Sequence, residues 1–223
     1  MVRTSSMFPA ARRPTPVSPS MTERRLRKLV AENLRLSREL KELRRLRLWA
    51  LQNSLTGLPN RRLFEERLDE ELLRWERDSS QYGAILIVDI NDLSRERERL
   101  GHKHAEAAAL ETERVLRGGL RPCDVCARTG GDEFMVLLPE TGQGGAQRAM
   151  ARLRASVMRA GARGDLPLGI SISIGLSVWP ADGHLVSSLI HTADAALAAE
   201  RKRLTSRARR RPPRARRPLA LIK

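Results

Sequence analysis

Between Thr22 and Gln52 the chain carries neither proline nor glycine, and apolar residues recur at Leu26, Leu29, Leu36, Leu40, Leu43 and Ala50, with Asn33 and Arg47 completing the series. Steps that alternate between three and four residues are the a/d seam of a heptad repeat. The spacing predicts a coiled-coil helix over residues 21–52. Asn33 falls at an a position, where an amide is best satisfied by its twin across a parallel two-stranded coil and fixes the register. Arg47 weakens the last heptad. A single amphipathic helix packed on its own domain has the same pattern. The Arg, Lys and Glu crowding the other faces favour a homodimer through this N-terminal helix.

From Asn53 onward the period changes, and helical stretches alternate with short apolar runs bounded by turn residues. Asn60 to Glu76 reads as a helix through Leu63, Phe64, Leu68, Leu72 and Trp75. Gly83 to Ile90 (GAILIVDI) is a continuous apolar run, the pattern of a strand covered on both faces. A helix over His104 to Leu116 follows. Two strands, Val125 to Thr129 and Glu133 to Leu138, are joined by Gly130 and Gly131, which is hairpin spelling. Then come a helix over Gly145 to Ala160, a strand over Leu168 to Val178 and a helix over Leu185 to Arg203. This interleaving indicates one layer of sheet with helices against it. The expected organisation is a disordered leader over 1–20, rich in Pro and Ser, the coil over 21–52, one domain over 53–205 and a disordered basic tail over 206–223.

Composition narrows the class. An apolar fraction of 41% in 223 residues supports a packed core, and 3% aromatics make it an aliphatic one. No run of apolar residues is long enough to span a membrane or to serve as a signal peptide, so a cytoplasmic location is expected. Cys123 and Cys126 are too few for a disulfide framework, and with no further cysteine their CxxC spacing reads as packing rather than redox or metal chemistry. The net charge of +16 is concentrated at the end: residues 201–223 hold 11 Lys and Arg and no acid, which leaves 31 basic against 26 acidic residues before them. Such a run, broken by Pro212, Pro213 and Pro218, is expected to be solvated. Nucleic acid is not an expected partner, because no aromatic interleaves with the basic residues to stack bases.

Candidate chemistry begins at Asp89, a carboxylate at the end of the most apolar strand. Burial penalises it unless an Arg, a Lys or a divalent cation compensates, and a strand-end Asp capping a turn is the simpler alternative. Gly130-Gly131 permits positive φ and close backbone approach, and Asp132 and Glu133 follow immediately. Taken alone this is an acidic turn. If Asp89 lies beside it, the oxygens converge as Mg²⁺ and a polyphosphate require. His102, His104, His184 and His191 share no ligand spacing.

Gly130-Gly131-Asp132-Glu133-Phe134 is the motif of the GGDEF domains, the diguanylate cyclases. Three further segments resemble that family in the same order: Leu55-Thr56-Gly57-Leu58-Pro59-Asn60-Arg61-Arg62; Val88-Asp89-Ile90 with Gly101-His102; and Ser173-Ile174-Gly175 with Ala193-Asp194-Ala195-Ala196-Leu197. The resemblance covers residues 53 to about 203. It implies an α+β fold, with a central, mostly antiparallel sheet flanked by helices around a ferredoxin-like, nucleotidyl-cyclase-like core. It also implies condensation of two GTP into cyclic di-GMP with release of pyrophosphate, each of two facing domains holding one GTP. By the same resemblance Asp89 and Asp132 hold Mg²⁺ (or Mn²⁺), with the Ile90 carbonyl assisting and Glu133 binding metal or nucleotide. Asp132, Glu133 and Asp89 are then the catalytic set, and the backbone of Gly130 and Gly131 passes close to the nucleotide. Arg121 and Asp124 form an RxxD placed as the family's product-inhibition site is; a surface ion pair is the alternative.

The sequence departs from the family around base and phosphates. Asn53 stands for the usual Asp before LTG. Asn91, Leu93 and Ser94 replace an Asp, a Phe and a Lys. Arg97 stands where an Asn usually reads guanine, Glu106 where its partner is an Asp, and Arg201 and Thr205 where a Lys and an Arg are usual. Arg97, Glu106 and Arg201 are therefore the expected substrate contacts of an altered site. An Arg cannot both donate to and accept from a guanine edge as an amide does. A signalling module that binds GTP or cyclic di-GMP without efficient catalysis is the second reading.

Overall fold

The computed structural model describes residues 20–210 apart from Leu168. The expected leader, all but its last residue, and the part of the tail from residue 211 lie outside the described residues. Two compact units divide between Leu48 and Trp49.

The first unit is helix α1 (Met21–Leu51) up to Leu48. Ser20 and Glu23 cap its start reciprocally, the Glu23 amide donating to the Ser20 hydroxyl at 3.2 Å and the Ser20 amide to the Glu23 carboxylate at 2.9 Å. The seam residues Leu26, Leu29, Leu36, Leu40 and Leu43 are all exposed, each by more than half. That row of leucines has no covering within this unit.

The second unit opens on a tight loop. The Asn53 side chain accepts from the amides of Leu55 and Thr56, and the Asn53 amide donates to the Leu58 carbonyl at 2.8 Å. An Asn makes these bonds as an Asp would. Asn60 then serves both sides of the loop: its amide group donates to the Ala50 carbonyl at 2.8 Å, and its side-chain oxygen caps helix α2 (Arg61–Arg77) by accepting from Leu63 N–H.

Next come β1 (Gly83–Asn91), α3 (Leu93–Leu100), α4 (His102–Gly118), β2 (Val125–Arg128), β3 (Glu133–Pro139), α5 (Gln143–Arg163), β4 (Ser171–Trp179) and α6 (Val186–Arg210). The strands form one antiparallel sheet in the order β2-β3-β1-β4, the ferredoxin-like arrangement. Side chains alternate across a strand. Ala84, Leu86, Val88 and Ile90 therefore pack with α4 and α5 through Ala105, Ala109, Leu116, Leu153 and Val157. Ile85 and Ile87 pack on the opposite face against Phe64, Leu68 and Leu72 of α2 and Leu189, Ala193 and Leu197 of α6. Each fully buried Leu, Ile or Phe contributes about 1.5–3 kcal/mol by leaving water.

Two elements differ from the sequence expectation. The short helix α3 was not expected, because its sequence LSRERERL buries only Leu93 and so shows no period. Helix α6 continues to Arg210 rather than ending at Arg203, through residues expected to begin the tail.

Candidate active site

Asp89 keeps the parity of Ile85 and Ile87, so it faces α2 and α6, and it lies near the C-terminal end of β1, an inner strand of the sheet. It is directly opposite Glu133 of β3. Residues paired in this way project on the same side. The Ile90 amide donates to the Asp132 carbonyl at 3.0 Å, which carries the pairing into the turn. The turn is closed by the amides of Thr129 and Gly130, both donating to the Glu133 carbonyl, while the Thr129 hydroxyl donates to Glu133 Oε1 at 2.6 Å. Sequence and topology thus bring together Asp89, Ile90, Asp132 and Glu133.

Asp89 is only 6% exposed and meets Arg201 of α6, whose Nη1 lies 3.1 Å from Oδ2. Burial holds its carboxyl above the ordinary range; Arg201 pulls it down, and the charges of Asp132 and Glu133 push it up again. Asp132 and Glu133 are thus near enough to act on Asp89 through their charge, while Arg61 acts on Glu133 and Arg97 approaches the turn. Asp194 of α6 belongs to the same field: burial and Glu133 raise its pKa, against Arg61 and His191.

Of the two freedoms that glycine permits at the turn, positive φ and close approach, the first is not used. Neither Gly130 nor Gly131 has a left-handed φ. A Cβ at Gly130 would meet nothing closer than Glu133 Cβ at 3.4 Å, and at Gly131 only Arg97 Nη2 at 3.8 Å. Their service is open space in front of the turn. Arg97 of α3 reaches that space. Glu106 of α4 lies 3.9 Å from His102 Nε2, and Thr205 donates to the Arg201 carbonyl.

Arg121 and Asp124 form a turn of their own: the Asp124 carboxylate accepts the Arg121 amide at 2.8 Å, and the Asp124 amide returns to the Arg121 carbonyl. No ion pair joins the two side chains. The Arg121 side chain lines a groove of about 520 Å³ that Arg74 and Arg77 of α2 also line. Cys126 is buried, its thiol pushed up to about 12, and Cys123 is exposed, so the CxxC makes no reactive pair. His184 stacks on Trp75 with centroids 5.8 Å apart.

Among the described residues, no three His, Cys, Asp or Glu side chains gather tightly enough to form a metal site alone. Mg²⁺ does not need that many. It is commonly bound by one or two carboxylates, with water and substrate phosphates completing its octahedron. Asp89 and Asp132 supply hard carboxylate oxygens, and such a donor set fits the ion.

Residues that sequence reasoning passed over also build the site. Arg128 donates from Nε to the Gly130 carbonyl at 3.2 Å and from Nη2 to the Gly131 carbonyl at 2.8 Å. Glu113 of α4 is buried near it. The available signal was an Arg at the end of an otherwise apolar strand, two residues before the glycines.

A sequence profile described as "Diguanylate cyclase, GGDEF domain" matches residues 50–207. Diguanylate cyclase TpbB of Pseudomonas aeruginosa is 34% identical over 153 residues, which are 66% of this chain and 34% of TpbB. Response regulator PleD of Caulobacter vibrioides is 32% identical over 148 residues, 65% of this chain and 32% of PleD. The chain spans about a third of the length of these two curated relatives. The solved GGDEF domain of TpbB superposes with a TM-score of 0.61 at 32% identity, covering 68% of this chain and 89% of that one. The coiled coil and GGDEF domain of DgcB from Caulobacter crescentus, solved with c-di-GMP, gives 0.67 at 25% identity, covering 82% and 95%. With four ordered motifs, the sheet order and a profile match over most of its length all in agreement, the chain belongs to the GGDEF domain family.

Proposed function

We propose that this chain is a diguanylate cyclase that joins two GTP into cyclic di-GMP and releases two pyrophosphates. The observation that carries the reading is the pairing of Asp89 with Glu133 at the turn that also holds Asp132. In each of two equivalent steps a 3′-hydroxyl attacks the α-phosphate of the other nucleotide in line, a new P–O bond forms, and the bond to pyrophosphate breaks. Asp89 and Asp132, with the Ile90 carbonyl, would hold Mg²⁺, or Mn²⁺ in its place. When bound, the ion neutralises phosphate charge and favours the ionised hydroxyl. Glu133, aligned by the Thr129 hydroxyl, takes the hydroxyl proton. Arg201 compensates Asp89 and turns to phosphate when nucleotide arrives. Gly130 and Gly131 leave room for the nucleotide, and Arg97 and Glu106 border the base.

Each domain supplies half of a reaction centre, so two chains are required. The uncovered leucine seam of α1 supports a homodimer, in which the tether raises the local concentration of the second domain. The limits of leader and coil follow the sequence reading, 1–20 and 21–52; the catalytic domain begins at 53 and its last helix runs to Arg210, past the expected limits of 205 for the domain and 206 for the tail. Product bound at Arg121 and Asp124 restrains the enzyme. GTP and cyclic di-GMP are its small-molecule partners. No helix among the described residues is long and apolar enough to cross a membrane; we assign the chain to the cytoplasmic nucleotide pool.

Arg97 at the mouth of the glycine turn favours a second reading, a domain that binds nucleotide and signals without turnover. Incubation with GTP and Mg²⁺ separates the two. Pyrophosphate and cyclic di-GMP in a ratio of two to one, lost in D132A at unchanged melting temperature, is the expected result. A dimer that binds cyclic di-GMP and makes none contradicts the cyclase reading.

A further inference from the structure

Arg128 is the least expected group in the sheet. It is 3% exposed, at the end of β2. Its guanidinium carbon lies 5.8 Å from the Phe134 ring centroid. Its amide donates to the Pro59 carbonyl at 2.9 Å, so the residue touches the loop over 53–60 with its backbone and the glycine turn with its side chain. Nη1 is buried with no partner among the described residues, and so is Glu113 Oε2 on α4. Glu113 lies beyond ion-pair distance of Arg128 yet close enough to feel its charge. Arg128 itself therefore joins the loop over 53–60, through its amide on the Pro59 carbonyl, to Gly130 and Gly131, through its side chain.

The carbonyl and N–H of a trans peptide point in opposite directions. The cis bond among the described residues is Trp179–Pro180, so the turn peptides are trans. Once the Gly130 and Gly131 carbonyls are held by one guanidinium, the amides of Gly131 and Asp132 are turned away from it. Successive amides aimed the same way form a concavity that takes an anion. A guanidinium suits this task because its planar fork bonds two acceptors at once; an ammonium has no such fixed geometry.

We propose that Arg128 is a positioning residue that locks the two peptide planes of the glycine turn, aims the amides of Gly131 and Asp132 at a nucleotide phosphate, and ties the turn to the loop over 53–60. The phosphate part rests on the nucleotide reading above; the locking and the tie do not.

The test uses the full chain and two variants, R128K and R128M, with amide hydrogen exchange, melting temperature and GTP affinity in the presence of Mg²⁺ as readouts. Exchange at Thr129 and Gly130, whose amides close the turn on the Glu133 carbonyl, is expected to rise about tenfold without nucleotide in R128K and R128M, while Leu86 and Val88 at the centre of β1 keep their protection. A uniform rise across the sheet, as a merely structural arginine would give, or no rise at the turn, overturns the locking. The amide of residue 128, held by the Pro59 carbonyl, is expected to exchange about threefold faster in both variants as the turn loosens. Full protection of that amide beside a loosened turn overturns the tie. R128K is expected to weaken GTP binding about tenfold; unchanged affinity beside a loosened turn overturns the phosphate role alone. A parent chain that binds no GTP counts against the nucleotide reading, and exchange then decides the locking by itself. If R128M does not fold, E113Q, which removes the counter-charge and keeps the guanidinium, is expected to loosen the same two amides, and their full protection overturns the network.

Discussion

Gly175 in β4 offers the most quantitative test of how the site is held. A Cβ there would lie 2.0 Å from the Ala193 carbonyl oxygen, 2.6 Å from the Leu197 amide nitrogen and 2.9 Å from Leu197 Cβ. The first two are backbone atoms of α6, so no side-chain rotation relieves them. Restoring an ordinary contact of 3.4 Å from 2.0 Å requires α6 to move by about 1.4 Å. Overpacking of this kind costs about 1–3 kcal/mol, and a backbone clash belongs at the upper end. For a unit of this size about 1 kcal/mol moves the melting temperature by about 2–4 °C, so G175A, at about 3 kcal/mol, is expected to melt about 6–12 °C lower. The same displacement carries Arg201 away from Asp89, now 3.1 Å apart, so turnover of GTP falls as well. Gly161 in α5 is the control: nothing lies within 4 Å of its Cβ position, and G161A is expected to gain about 0.5–1 kcal/mol from helix propensity. Thermal unfolding followed by circular dichroism reads both. A G175A protein that melts with the parent would refute the close seating of α6 on the sheet.

Other consequences follow from particular residues. L36D combined with L40D places charge on the exposed seam of α1; sedimentation is expected to show half the parent mass, and turnover at fixed protein concentration to fall at least tenfold, whereas a monomeric parent would contradict the tethering argument. G131A has room for its methyl group and is expected to fold within about 0.5 kcal/mol of the parent yet lose GTP affinity in titration calorimetry; retained affinity would show that the space is not used. Glu113 has a carboxyl whose pKa burial raises in the folded state, so its protonated form is favoured there and its contribution to stability is lost as pH climbs from the ordinary carboxylate range through the raised value. The melting temperature of E113Q minus that of the parent is therefore expected to grow between pH 4 and pH 7, and a flat or falling difference would reverse the sign of that burial.

The sequence was most readable where periodicity and burial agree. The run GAILIVDI has apolar groups on both sides, and helices do cover both faces of β1. The heptad leucines were equally plain, because nothing but spacing is needed to find them. Helix α3 escaped because it is held by its junctions and by one inward residue, Leu93. The last turns of α6 escaped because a run of arginines with alanine and serine has helix propensity but no pattern. At the site, residue types and the resemblance together supplied Asp89, Asp132 and Glu133, and of the two freedoms glycine permits, positive φ and close approach, the turn shows no positive φ: chemistry by residue type does not say whether glycine serves conformation or space. Arg128 and Glu113 were passed over for a related reason. Arg128 takes its meaning from bonds to a loop and a turn, and Glu113 from burial near its charge, and these neighbours are set by the fold.

The account depends on Asp89 and Asp132 serving one cation together with the phosphates of GTP. Titrating Mn²⁺ into the purified chain, followed by the electron paramagnetic resonance of the free ion, with and without a non-hydrolysable GTP analogue, reads this directly. One tightly held ion per chain that appears only with nucleotide, and is lost in both D89N and D132N, is the predicted result. Undiminished Mn²⁺ uptake in either variant, or none in the parent with nucleotide present, would contradict it.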